Sequence, residues 1–127
     1  MISEKQLREL HGALLRKNRL ESLLPELESR RTELSAQVET LRSRSDSEQA
    51  DVDTLEKRGL ASFFYELIGK KEEKLTKERA EAAAAAAKYY SARRELDAVE
   101  RDIAAYESEL LTLADARERY ESALAAH

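Results

Sequence analysis

Residues 75–124 read LTKERAEAAAAAAKYYSARRELDAVERDIAAYESELLTLADARERYESAL. Stepping through them alternately by three and four meets Leu75, Glu78, Ala82, Ala85, Tyr89, Ala92, Leu96, Val99, Ile103, Tyr106, Leu110, Leu113, Arg117, Tyr120 and Leu124. Only Glu78 and Arg117 on that stripe are charged. A seven-residue repeat kept in register for about seven heptads predicts a helix that supercoils left-handedly with a partner, not a globular amphipathic helix. At about 1.5 Å per residue such a helix is roughly 80 Å long.

The first half of the chain carries a matching seam. Read backwards from Leu55 it runs Val52, Glu48, Ser45, Leu41, Val38, Leu34, Arg31, Leu27, Leu24, Leu20, Lys17, Ala13 and Leu10, again in steps of three and four. Pairing the two seams antiparallel, with partner numbers adding to about 130, matches every step, so that Leu41 faces Tyr89, Leu34 faces Leu96 and Leu20 faces Leu110. Totals shifted by one heptad satisfy the pattern equally. Charge favours the antiparallel arrangement: residues 5–31 hold seven Lys/Arg and four Asp/Glu, whereas residues 99–125 hold three and seven. Each exposed pair contributes only a fraction of a kcal/mol, so these charges select orientation more than they supply stability.

Punctuation divides the chain. Pro25 lacks a backbone N–H and disfavours helix at Leu24, which predicts a kink or break with Pro25 opening the next helix. Ser3 and Gln6 have the spacing of a capping box. Gly59 and Gly69 bracket the other interruption, where the chain is expected to reverse. The expected organisation is a single coiled-coil domain over 1–127: an N-terminal helix at 3–23, a first arm at 25–58, an aromatic tip at 59–69 and a second arm at 70–125.

Composition narrows the function. The chain of 127 residues has no Cys, two His at opposite ends, three Gly and one Pro. There is no thiol nucleophile or thiolate metal site, no upstream Gly at phosphate-loop spacing from Gly69-Lys70, and little for a histidine cluster. The charged residues include many carboxylate pairs but none set in an apolar pocket that would raise a pKa. The expectation is a protein that is not an enzyme and takes no cofactor or metal. A net charge of −4 disfavours nucleic acid as a partner. No apolar run reaches membrane-span length, and Met1-Ile2-Ser3-Glu4-Lys5 lacks a signal-peptide stretch, so the expected location is cytoplasmic.

Two stretches stand out as surfaces. Between the glycines, Leu60, Phe63, Phe64, Leu67 and Ile68 have the spacing of a short amphipathic helix, and Lys70 and Lys71 follow. Either this tip helix folds back to cap the hairpin, or it is exposed and docks a protein, a second copy or an anionic membrane surface. The second stretch is Ala82–Ala87, which faces the polar segment around Ser45 and Glu48. It reads as a closely packed small-residue zone or as a docking groove or hinge, and it is the thinnest part of the seam. Lys17, Arg31 and Arg117 read as snorkelling residues that fix register. Tyr89, Tyr106 and Tyr120 share one stripe, with their hydroxyls expected at its rim.

Residues Gly59–Glu78, with Phe63-Phe64-Tyr65 followed by Gly69-Lys70-Lys71-Glu72-Glu73-Lys74-Leu75, resemble the tip motif of a group of short bacterial coiled-coil proteins. The likeness covers about a sixth of the chain. It implies a bacterial cytosolic setting and no particular chemistry. The architecture is also similar to membrane-remodelling hairpins of the phage-shock type and to the arms of chromosome-maintenance ATPases.

The sequence therefore predicts an all-α fold, a long antiparallel coiled-coil helical hairpin with a Pro-bent N-terminal helix and a short amphipathic tip helix. A two-helix hairpin buries little apolar area per residue, so a homodimer or other homo-oligomer is expected. The expected role is a scaffold or adaptor, with a protein partner at the tip (Leu60, Phe63, Phe64, Leu67, Ile68, Lys70, Lys71) or at Ala82–Ala87. The alternative is a peripheral membrane protein that inserts the tip helix.

Overall fold

The computed structural model describes residues 2–61 and 65–127, with side-chain detail for all of these except residues 52, 54–61 and 65–72. Three helices account for nearly all of them: α1 (Glu4–Ala61), α2 (Tyr65–Thr112) and α3 (Ala116–Ala126). No strand occurs among the described residues. The fold is an all-α helical hairpin in which α1 runs antiparallel to α2. The density of internal contacts divides the chain into two compact units, residues 1–32 with 97–127 and residues 33–96.

In the first unit, α1 begins at the expected capping box. The Gln6 N–H donates to Ser3 Oγ at 3.1 Å, and the Ser3 N–H donates to Gln6 Oε1 at 2.9 Å. Two orphan donors of the first turn are thereby satisfied. The predicted separation into helices at 3–23 and 25–58 does not occur: α1 is unbroken from Glu4 to Ala61 with Pro25 inside it. Pro25 is exposed, while Leu24 and Leu27 are half-buried and Leu20 is fully buried. Apolar packing on the opposite face offsets the roughly 3 kcal/mol that an interior proline costs.

The core of this unit is Leu14, Leu20, Ile103, Ala116 and Ala123. The stripe of α2 follows the predicted heptads as far as Leu113 and then changes phase. Residues 113–115 form a turn, with the Leu113 N–H donating to the Leu110 carbonyl and the Ala116 N–H to the Leu113 carbonyl, both at 3.0 Å. These are bonds of 3₁₀ spacing, which bring residues three apart onto one face. Leu110 and Leu113 are half-buried, and the buried positions beyond the turn are Ala116 and Ala123. Arg117 and Leu124, which the uninterrupted repeat places on the seam, are exposed instead.

In the second unit the buried residues are Leu34 and Val38 of α1 and Ala82, Ala85, Ala92 and Leu96 of α2. Three of the four buried residues of α2 in this unit are alanines, whose small side chains permit close approach of the helices. The half-buried rim continues through Leu41, Ser45 and Glu48 on α1 and Leu75, Glu78 and Tyr89 on α2, as the heptads predict. Leu20 in one unit and Leu34 in the other have no exposed surface. Full burial of a leucine contributes about 1.5–3 kcal/mol.

The predicted tip at 59–69 is drawn differently. Helix α1 continues through Gly59 to Ala61 and α2 starts at Tyr65, so both glycines lie within helices and do not bracket a separate one. Without a helix-terminating conformation to adopt, a single glycine inside a long helix costs only about 1 kcal/mol relative to alanine.

Candidate functional site

The partner-binding residues that the sequence singles out at the tip lie outside the described residues: Phe63 and Phe64 entirely, and the side chains of Leu60, Leu67, Ile68, Lys70 and Lys71. The surfaces that can be built from side chains upward are those along the paired helices.

Each of the three stripe tyrosines meets a polar side chain of α1. In the second unit, Arg42 Nη2 donates to the Tyr89 hydroxyl at 3.1 Å, and its guanidinium carbon lies 5.6 Å from the ring centroid. In the first unit, the guanidinium of Arg16 lies 5.7 Å from the Tyr106 centroid, and the rings of His11 and Tyr120 are 5.0 Å apart. All three tyrosines are half-buried. Partner numbers add to 131 for Arg42 with Tyr89 and for His11 with Tyr120, close to the predicted total of about 130, and to 122 for Arg16 with Tyr106, close to the total one heptad lower.

Arg16 also makes an ion pair between the helices. Its Nε donates to Glu109 Oε1 at 2.8 Å and its Nη2 to Glu109 Oε2 at 2.9 Å, a two-pronged geometry specific to guanidinium and carboxylate. The hydrogen bond from Arg16 holds the Glu109 carboxyl below the usual carboxylate range, and the same bond raises Arg16. Arg42 is raised by its bond to the Tyr89 hydroxyl. The Arg16–Glu109 pair joins the positive stretch of α1 to the negative stretch of α2 that the sequence predicts to lie together. The seam-polar residues behave unequally. Lys17 is half-buried with its amine 3.5 Å from Glu21, and Arg31 is half-buried, whereas Arg117 is off the seam and pairs with Glu121 at 3.9 Å.

The alanine stretch divides by face. Ala82 and Ala85 are buried, Ala86 is half-buried, and Ala83, Ala84 and Ala87 are open to solvent. Alongside, a shallow groove of about 540 Å³ is lined by Ala36, Thr40 and Leu41 of α1 and Lys88, Ser91 and Ala92 of α2. A smaller hollow of about 230 Å³ holds Arg42, Ser45, Asp46, Ala86, Tyr89 and Tyr90. The Tyr90 ring stands 5.2 Å from that of Tyr89 and is 63% exposed, as expected for a residue off the stripe. In the first unit a groove of about 550 Å³ runs past Ile2, Leu10, Asp115, Glu118, Arg119 and Ala123.

Among the described residues, one carboxylate group has the proximity to hold a cation: Glu48, Glu78 and Glu81, whose ligand oxygens lie within 4.8 Å of one another. Lys77 stands 3.9 Å from Glu81 and partly compensates the cluster. Two of the three are half-buried and Glu81 is exposed, and the physical effect here is like-charge repulsion in the thinnest part of the seam. Sequence reasoning did not single out Arg16, Arg42 or the turn at 113–115. The arginines flank the seam beside a tyrosine, a signal visible only once the pairing is fixed.

No helix among the described residues is long and apolar enough to cross a membrane. Comparison with protein-family models, curated proteins and solved structures finds no match to this chain.

Proposed function

We propose that this protein is a non-enzymatic coiled-coil scaffold or adaptor that works through helix–helix contact with protein partners, including further copies of itself, in the cytoplasm. The observation that carries the reading is the use made of the polar side chains. The perturbed ionisable groups, exposed Arg16 and Arg42 and half-buried Glu109, engage one another or a tyrosine across the helix pair, so their chemistry is spent on register. The grooves beside them are shallow and lined by small side chains such as Ala36, Ser91 and Ala92, a surface suited to the close approach of another helix.

The test is the solution mass of the full chain by size-exclusion chromatography with light scattering. It is run beside a groove variant, Ala36→Glu with Ser91→Arg, both exposed, and a tip variant, Phe63→Asp with Phe64→Asp. A wild-type oligomer that dissociates in one of the variants supports the reading and locates the contact. A wild type that is monomeric at every concentration, with both variants indistinguishable from it in cross-linking to cellular proteins, refutes it.

A further inference from the structure

The turn at residues 113–115 contains Leu113, Ala114 and Asp115, with neither glycine nor proline. Helix breaks almost always have a local cause of that kind, and Leu-Ala is among the best helix-forming pairs. Two features hold the break. The Thr112 hydroxyl donates to the Glu109 carbonyl at 2.6 Å, the acceptor that the Leu113 N–H takes in an uninterrupted helix. The Leu113 and Ala116 N–H groups turn instead to carbonyls three residues back. Asp115, at the start of α3, makes no side-chain capping bond, so the new helix end receives little compensation.

Beyond the break the sequence supports two faces. The observed face is Ala116, Tyr120 and Ala123, which leaves Leu124 52% exposed and Arg117 in solvent beside Glu121. The other is the one the heptads specify: Leu110, Leu113, Arg117, Tyr120 and Leu124. Tyr120 belongs to both, and its ring already rests on His11 of α1. A rotation of less than one residue about that shared contact exchanges them.

We propose that α3 is a two-position element of the first unit. In one position the chain is broken at 113–115 and Ala116 and Ala123 face α1. In the other, α2 continues through residue 124 and Leu124 replaces Ala123 against α1. The balance is set by opposed terms. The continuous form regains α-helical hydrogen bonds and covers Leu124, but it must seat the Arg117 stem on the seam and give up the Thr112 bond. The broken form keeps Arg117 solvated and packs two alanines closely. The element changes which apolar side chain the end of the hairpin presents, and it does so without unfolding α3.

The test is nuclear magnetic resonance on the full chain, reading the Cα shifts of Leu113, Ala114 and Asp115 and the exchange protection of the amides of residues 114–117. Three variants are compared with the wild type, each at a residue exposed in the observed form, so that folding is preserved: Arg117→Leu, Thr112→Ala and Leu124→Ser. Arg117→Leu and Thr112→Ala are expected to move the shifts toward helical values. For Arg117→Leu, protection should rise about tenfold, the effect of covering one leucine in place of a charged side chain. Leu124→Ser should move them the opposite way. Shifts unchanged in all three variants, or a Leu124→Ser change in the same direction as Arg117→Leu, would overturn the proposal.

Discussion

Leu34→Ala is the most direct test of how the helices are held together. Leu34 is fully buried, with Ala92 and Leu96 among the buried residues of the facing helix. Truncation of a buried leucine to alanine costs about 2–5 kcal/mol, depending on how far the surroundings collapse into the space. Ala92 of the facing helix also lines an open groove, so the surroundings can partly collapse and the lower part of that range, about 2–3 kcal/mol, is expected. A chain of this size has a total stability of about 6–19 kcal/mol at ordinary per-residue values, so the loss is a large fraction of it. The assay is urea unfolding followed by helical circular dichroism, with m-values compared to check that the transition is the same. The control is Leu111→Ala, since Leu111 is 80% exposed and its loss should stay within about 0.5 kcal/mol. A Leu34→Ala cost below about 1 kcal/mol, or a Leu111→Ala cost as large as that of Leu34→Ala, would refute the assignment of the seam.

Protonation of Glu109 gives a second test. Its carboxyl is held below the usual range by Arg16, so the contribution is complete above the unfolded carboxylate pKa and is lost as pH falls through the lowered folded value. Urea midpoints of wild type and Glu109→Gln should therefore differ at neutral pH and converge in acid; a gap that widens in acid would contradict the pairing. Pro25→Ala should raise the urea midpoint, by about 1–3 kcal/mol in stability, because it restores a helix hydrogen bond at an exposed site. A lowered midpoint would show that the proline fits its position better than the helix geometry implies. Ser3→Ala should cost about 1 kcal/mol locally, read as faster amide exchange at Gln6 with little change in the global midpoint. Equal exchange in both proteins would remove the capping box as the start of α1.

The same perturbations mark how far the heptads reach. Positions 75 to 113 of the second seam and 10 to 48 of the first are buried or half-buried without exception, because a side-chain period of three and four leaves one face for burial whatever the partner. The charge contrast between the ends was also readable, and it surfaces as Arg16 on Glu109. The tip residues Leu60, Phe63, Phe64, Leu67, Ile68, Lys70 and Lys71 are equally prominent in sequence, but a pattern of apolar spacing does not say what covers it.

Sequence by itself determined that two long helical stripes exist, that they pair antiparallel, and that the register is one of a few totals separated by seven. Those properties follow from local periodicity and from the sum of charges, which need no knowledge of distant contacts. The tertiary structure decided the rest. It set the ring and guanidinium contacts between the helices, such as His11 on Tyr120 and Arg42 on Tyr89, which no local pattern specifies. It carried α1 through Pro25, since packing at Leu20 and Leu27 outweighs the lost hydrogen bond, and it broke α2 after Thr112, where a side-chain hydroxyl competes for a backbone acceptor. Both outcomes turn on differences of a few kcal/mol between local preference and long-range packing, and only the folded chain contains the second term.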